Sequence, residues 1–300
     1  MRNILLLIVA VVFGWITPAE SYELQGDAGL LQQAISSLRE NWSGVKTWTG
    51  TVVIEDIEAA KELPEQKWVS EVEYTARLKS DESMWKLNVT EGENLVAFPR
   101  VNGLVQGNQM HLLRKTRPTL TSDSISDSFS GPRDQHERGP FAQSFEPFWF
   151  LGYQGEVTAE RFAYIHDNSQ KLSNDGWSVA SDGDLVTLAF ETPSLLNRYV
   201  VDLAKGGNLV SYRGEERLNG RVQLSDNWMW SFKEHDKTWL PVEMAIQRET
   251  YGDETSSSGG PVPITSRMRF IRWSKSQINS NDASELTPSA IGINDERQIQ

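Results

Sequence analysis

The sequence predicts an α+β fold, mainly β: one curved antiparallel sheet, an incomplete barrel, with an N-terminal helix and a central helical lid on its concave side. Three observations carry this. About a dozen segments alternate apolar and polar residues with a period of two, the connections between the later ones are hairpin-sized, and helical periodicity is confined to one early stretch and one central insertion. Helices gathered on one face of an antiparallel sheet form a two-layer domain, and strand-rich single domains of this length are common, so one domain over residues 22–295 is expected.

Residues 1–21 read as a secretory signal peptide: Met1-Arg2, an apolar run from Ile4 to Ile16, then Pro18 and the small-residue ending at Ala19 to Ser21. The apolar run is too short, at about 20 Å as a helix, to span a hydrocarbon slab of roughly 30 Å. The expectation is therefore a periplasmic or otherwise exported protein, soluble after the peptide is removed. The chain contains no Cys, which excludes disulfides and thiolate metal sites, so a sizeable apolar core must hold the fold. The sequons at Asn41 and Asn88 have no role in that setting. A formal charge of −12 disfavours nucleic acid and anionic surfaces as partners.

A helix opens the mature chain, with Asp27 as its N-cap, Leu31, Ile35, Leu38 and Trp42 as its apolar stripe, and Gly44 as its stop. Strand patterns follow. Trp48, Val52 and Ile54 share one parity, and Trp68, Val72, Tyr74, Ala76 and Leu78 form the dry side of the next strand opposite Lys67, Glu71, Glu73, Thr75, Arg77 and Lys79. Trp85, Leu87 and Val89 mark a third strand. Two shorter ones follow, punctuated by Pro99, Gly103 and a turn at Gly107-Asn108. Residues 118–140, rich in Ser, Asp, Gly and Pro, read as a long flexible loop.

The stretch "SFEPFWFLGY" after that loop concentrates Phe145, Phe148, Trp149, Phe150, Leu151 and Tyr153, with Pro147 suited to a first helical turn. A second short helix is expected from Thr158, carrying Phe162 and Ile165. Seven strands then run to the end, with Val222, Leu224, Trp228, Trp230 and Phe232 sharing one face and Leu240, Val242, Met244 and Ile246 another. The last twenty or so residues read as a loosely attached tail in which "SAIGI" is able to dock.

Signatures of catalysis are sparse. His111, His136, His166 and His235 lack the spacing of a zinc site. Glu71 and Glu73, about 7 Å apart on one strand face, have the spacing of paired catalytic carboxylates, but Lys67, Arg77 and Lys79 share that face and make it a solvated one. No nucleophile elbow, phosphate-binding loop or metalloprotease motif occurs. No enzyme activity, cofactor or metal is expected.

Eleven Trp residues are the unusual feature. Parity places Trp48, Trp68, Trp85, Trp228 and Trp230 on the apolar face, as core or as the wall of a cavity. Exposed sugar-stacking platforms would instead fall to Trp239 or Trp273, off that parity, in a carbohydrate-binding module of an exported polysaccharide system. The aromatic stretch at 144–153 either plugs the core or covers an incompletely filled concavity and moves aside. In the second case the cavity wall and lid comprise Trp48, Trp68, Tyr74, Trp85, Phe148, Trp149, Phe150, Trp228, Trp230 and Phe232.

A signal peptide, a helix running into "SLRENWSGVKTWTGTVVIED", early strands, an aromatic helical insertion, late strands with "DKTWLPVEM" and a closing "LTPSAIGIND" together resemble the LolA/LolB-like superfamily of periplasmic lipoprotein carriers, in particular its divergent large members. The resemblance covers most of residues 27–295 through element order and local patterns. It implies an incomplete barrel closed by helices that binds acyl chains of a lipid or lipoprotein. It also implies a monomeric carrier or sensor that exchanges cargo with a membrane-associated donor or acceptor protein.

Overall fold

The computed structural model describes residues 25–26, 28–116 apart from 62 and 79, 126–132, 162–163, 177–255, 261–280 and 286–293. The segment read as a signal peptide, Asp27, the aromatic stretch with Phe148, Trp149 and Phe150, and all of the expected second helix except Phe162 and Ala163 lie outside the described residues.

Among the described residues the chain folds as helix α1 (Ala28–Ser43) against a sheet of fourteen strands: β1 (Gln25–Gly26), β2 (Thr47–Ala60), β3 (Gln66–Arg77), β4 (Glu82–Glu91), β5 (Arg100–Gln106), β6 (Gln109–Lys115), β7 (Ser126–Pro132), β8 (Trp177–Asp182), β9 (Leu185–Glu191), β10 (Leu195–Asp202), β11 (Asn208–Leu218), β12 (Arg221–His235), β13 (Thr238–Thr255) and β14 (Pro261–Ile278). Two antiparallel meanders, β2 to β7 and β8 to β14, are joined where β14 pairs antiparallel with β2. The two-residue β1 adds a parallel edge to β8; the other thirteen strands are antiparallel throughout. The order ends at β1 on one side and β7 on the other, so the sheet is not closed into a barrel. So many twisted strands curl, giving the sheet an inner and an outer face.

The inner face carries α1. Leu31, Ala34, Ile35 and Leu38 are fully buried and join one continuous core with residues from nearly every strand. The helix packs mainly on β8, β9 and β13, and Trp42 meets Trp48 edge-on at 6.4 Å. The end of α1 is tied to the sheet by Asn41, whose Oδ1 accepts from the Trp239 backbone N–H at 2.8 Å and whose Nδ2 donates to the Trp239 carbonyl at 3.2 Å.

Several sequence expectations are corrected. Within the stretch read as loop, Ser126–Pro132 form β7, paired residue for residue with β6; its Ser-rich composition hides an edge strand, where few apolar side chains are needed. Gly103 does not interrupt a strand but sits in the middle of β5. A bulge opposite Ser231 and Phe232 breaks the parity of the β13 residues, leaving Leu240 opposite Lys233 rather than in line with Met244 and Ile246. Trp273, expected off the apolar parity as a sugar platform, is buried in the core and stacks on Trp48 at 6.3 Å. It shares the parity of Ile271, ahead of the bulge in its strand; Met268 and Phe270 make the opposite parity look apolar, although Phe270 is exposed.

The tail does dock. Leu286, Ile291 and Ile293 bury against Met84, Leu104 and Leu113 on the outer face of β4 to β6, forming a second small core. Asn102 and Gln106 donate to the carbonyls of Ile291 and Leu286 at 3.0 and 3.2 Å.

Candidate functional site

Because directly paired residues share a face, the register arranges the inner face in rows running across the strands. One row runs Val179, Leu188, Tyr199, Tyr212, Trp228, Ile246, Arg269, Asp56 and Trp68, one residue each from nine consecutive strands. Its rings touch in sequence, Tyr199 to Tyr212 at 5.0 Å and Tyr212 to Trp228 at 4.9 Å, and Phe162, fully buried, meets Tyr199 edge-on at 6.2 Å. Two residues along the strands the next row is apolar, with Trp230, Met244, Ile271 and Ile54. Beyond it lie Trp273, Val52, Val72, Leu87 and Val101.

The row after that runs Ser276, Gly50, Tyr74, Trp85, Gly103, Leu112 and Phe129. Its two glycines are required by their neighbours. A Cβ on Gly103 would stand 2.0 Å from Trp85 Cζ2, and one on Gly50 would stand 2.1 Å from the Lys275 carbonyl oxygen and 2.8 Å from the Tyr74 hydroxyl. Trp85 therefore lies flat across β5. It is 1% exposed, and among the described residues its indole N–H finds no hydrogen-bond acceptor. A buried donor left unpaired costs about 1–3 kcal/mol, so this is a polar point held open in an apolar wall. Trp48, by contrast, donates to Ser276 Oγ at 2.7 Å. Burial pushes the Tyr74 phenol far above its ordinary range, so the wall stays neutral there.

In the opposite direction the inner face turns ionic. The row next to Trp228 and Trp68 runs Asp226, Arg248, Arg267, Glu58 and Gln66. Arg248 donates to Asp226 through Nε and Nη2, both at 2.7 Å; burial alone would lower its affinity for a proton, but the Asp226 carboxylate outweighs this and holds it above the usual arginine value. Arg269 and Asp56 form a bidentate pair at 2.6 and 3.0 Å with side chains only 7% and 5% exposed. Arg267 and Glu58 pair at 2.8 Å, far more exposed at 47% and 32%. Between the Arg269–Asp56 and Arg267–Glu58 pairs, Trp68, Leu95 and Val96 lies a pocket of about 150 Å³.

Of the residues assigned to a ligand-binding wall from sequence, Trp48, Tyr74, Trp85, Trp228 and Trp230 are buried on the inner face, while Trp68 and Phe232 are half-buried. Trp48 and Tyr74 touch, with ring centroids 4.6 Å apart, and Trp68 stands at the ionic end. The ionic row itself was missed. Its signal was present: Asp56 continues the parity of Trp48, Val52 and Ile54, and Arg267 and Arg269 continue that of Ile271 and Trp273, charged residues on a dry face. Elsewhere, Glu71 and Glu73 are exposed, and His111 Nδ1 lies 2.7 Å from Ser130 Oγ, with burial lowering the proton affinity of the imidazole. Among the described residues no cluster of metal-ligating side chains occurs and no helix is long and apolar enough to cross a membrane.

No family model and no curated protein matches the sequence. Solved structures do. The chain is similar to a DUF1329 family protein from Desulfovibrio piger, at 9% identity and a TM-score of 0.39 over 88% of this chain and 98% of that one. It is similar also to a LolA superfamily protein from Nitrosomonas europaea, at 10% identity and a TM-score of 0.37 over 91% and 100%. An S-type phycobiliprotein lyase from Guillardia theta matches at 7% identity and a TM-score of 0.24 over 82% and 97%.

Proposed function

We propose that the chain is a non-enzymatic carrier of amphiphiles in the periplasm or another exported compartment, binding acyl chains of a lipid or lipoprotein along the inner face of its sheet. The observation that carries this is the Trp85 indole: a buried donor without an acceptor, set flat over Gly103 in a neutral apolar wall. An ester or amide carbonyl at the head of an acyl chain supplies the missing acceptor, and the chain itself needs only apolar surface. From Tyr74 to Trp68 is six residues of β3, about 20 Å at the strand rise, long enough for a long acyl chain. Each sheltered methylene contributes about 0.8 kcal/mol, so ten of them supply about 8 kcal/mol before the costs of ordering and association. The open edges at β7 and β1 leave the sheet free to adjust to a guest in a way a closed barrel is not.

Uptake of a fluorescent acyl ester tests this. Trp85→Phe removes the N–H and keeps most of the ring; it is expected to weaken uptake several-fold while the fold persists by far-UV circular dichroism. Unchanged uptake would remove the role assigned to Trp85. The same reading gives ligand contacts to Phe148 and Trp149, and alanine at both is expected to reduce uptake more than stability.

A further inference from the structure

The Trp85 indole N–H is not the only buried donor on the inner face without an acceptor among the described residues: Nε of Arg114 shares that state. We infer that the cargo is an anionic acyl amphiphile, its carbonyl accepting from Trp85 and a negatively charged group next to that carbonyl accepting from Arg114. This deepens the carrier reading and rests on it.

The register brings the two donors together. Val101 on the inner face of β5 pairs with Arg114 on β6, and Arg114 pairs with Asp127 on β7, so the apolar row that runs through Leu87 and Val101 ends in a charge. Gly103, beneath the indole, lies one strand and two residues from Arg114, about 8 Å between Cα atoms. An acyl carbonyl followed within a few bonds by an anionic group spans such a gap. The state of Arg114 favours an incoming anion. Its guanidinium lies over the Phe98 ring, 4.5 Å from the centroid, a stacking that fixes its plane. Asp127 takes a hydrogen bond from Nη2 alone, unlike the two-pronged contacts that Arg248 and Arg269 make with their carboxylates. An anionic oxygen at Nε completes the fork that Asp127 leaves half made. The side chains of Arg114 and Asp127 are 38% and 46% exposed, at the β7 margin of the sheet, and such exposed pairs contribute little and are readily displaced. Arg100 and Lys115 pair across the same ends of β5 and β6, so three basic side chains gather at this corner of a chain whose net charge is −12. That local field draws an anion and repels a cation, while an uncharged head gains nothing from it.

Calorimetric titration of the full chain with three ligands tests this: N-dodecanoylglycine, its uncharged methyl ester, and N-acetylglycine, which keeps the charge and loses the chain. The expected result is roughly tenfold tighter binding of the acid than of the ester, the low end of what a hydrogen bond to a charged group contributes, with N-acetylglycine far weaker than either. Arg114→Gln is expected to bring the ratio of acid to ester to within about twofold, while Arg221→Gln, an equal charge change at the exposed start of β12, leaves it at about tenfold. Asp127→Asn removes the competing carboxylate and is expected to raise the ratio, which keeps the test decisive should Arg114→Gln fail to fold. Trp85→Phe is expected to weaken acid and ester alike. Equal binding of acid and ester, a ratio that the Arg114 and Asp127 variants leave unchanged, or an equal fall in Arg221→Gln overturns the anion assignment and leaves the carrier reading standing. If neither acid nor ester binds, the carrier reading fails and takes this inference with it. N-acetylglycine binding as tightly as the long-chain acid would overturn the acyl part of the assignment in favour of a small anion.

Discussion

Replacing Gly103 by alanine probes the inner wall where it is tightest. The added Cβ would stand 2.0, 2.2 and 2.5 Å from Trp85 Cζ2, Cε2 and Cη2, whereas ordinary contact begins near 3.4 Å. The indole must therefore retreat by more than 1 Å in a site where it is 1% exposed. Overpacking of this kind costs about 1–3 kcal/mol, and the upper end applies because the obstacle is a rigid bicyclic ring. Alanine gains back about 0.5–1 kcal/mol over glycine in a strand, leaving a net loss near 2 kcal/mol and a fall in Tm of about 4–8 °C. Urea unfolding followed by far-UV circular dichroism measures it, since Trp fluorescence would itself be altered. Trp85→Leu costs stability on its own, but adding Gly103→Ala to it should cost almost nothing further, giving a coupling of about 2 kcal/mol in the double-mutant cycle. A neutral or stabilising Gly103→Ala in the otherwise native chain would refute the packing of Trp85 across β5 and the account of its open N–H.

Three further outcomes follow from the same geometry. Asp56→Asn leaves the Arg269 guanidinium in a buried site without its carboxylate and should cost about 3–5 kcal/mol in urea unfolding, while Asp56→Leu combined with Arg269→Met should cost clearly less. Glu215 is pulled up by burial but down, more strongly, by hydrogen bonds and charge from Arg217 and Arg213, so its carboxyl sits below the ordinary range; the stability it contributes is present above about pH 4.3 and is lost as the pH falls through its folded value, and Glu215→Gln should flatten the acid limb of a Tm against pH curve. Ile291→Ala, at a side chain 1% exposed beneath the tail, should cost roughly 2–5 kcal/mol and raise binding of an apolar dye to the uncovered Met84, Leu104 and Leu113.

The meanders were legible because an antiparallel sheet with one dry face writes itself as alternation: Trp48, Val52 and Ile54, or Trp85, Leu87 and Val89, need only local spacing to be recognised, and each proves buried on the inner face. The same logic fails where the pattern does not depend on burial. Strand β7 is an edge strand with serines at its positions, so nothing in "SDSFSG" alternates. A bulge inserts a residue and inverts parity, which is how Leu240 came to be misplaced by counting; Trp273 was misplaced because Met268 and Phe270 make the outer parity of its strand look apolar, whereas it keeps the register of Ile271. The second core beneath the tail is non-local, pairing residues near 84–113 with residues near 286–293, and no short window contains both sides. The ionic row lies between these cases. Asp56, Arg267 and Arg269 occupy dry-face positions that periodicity marks as anomalies, but only the pairing of β14 with β2 brings them into contact.

The most direct test of the carrier account is native mass spectrometry of the protein purified from its native cells without detergent. The account predicts a population carrying bound lipid mass that is diminished by Trp85→Phe. A uniformly unliganded mass, together with failure to take up any fluorescent acyl ester, would contradict it.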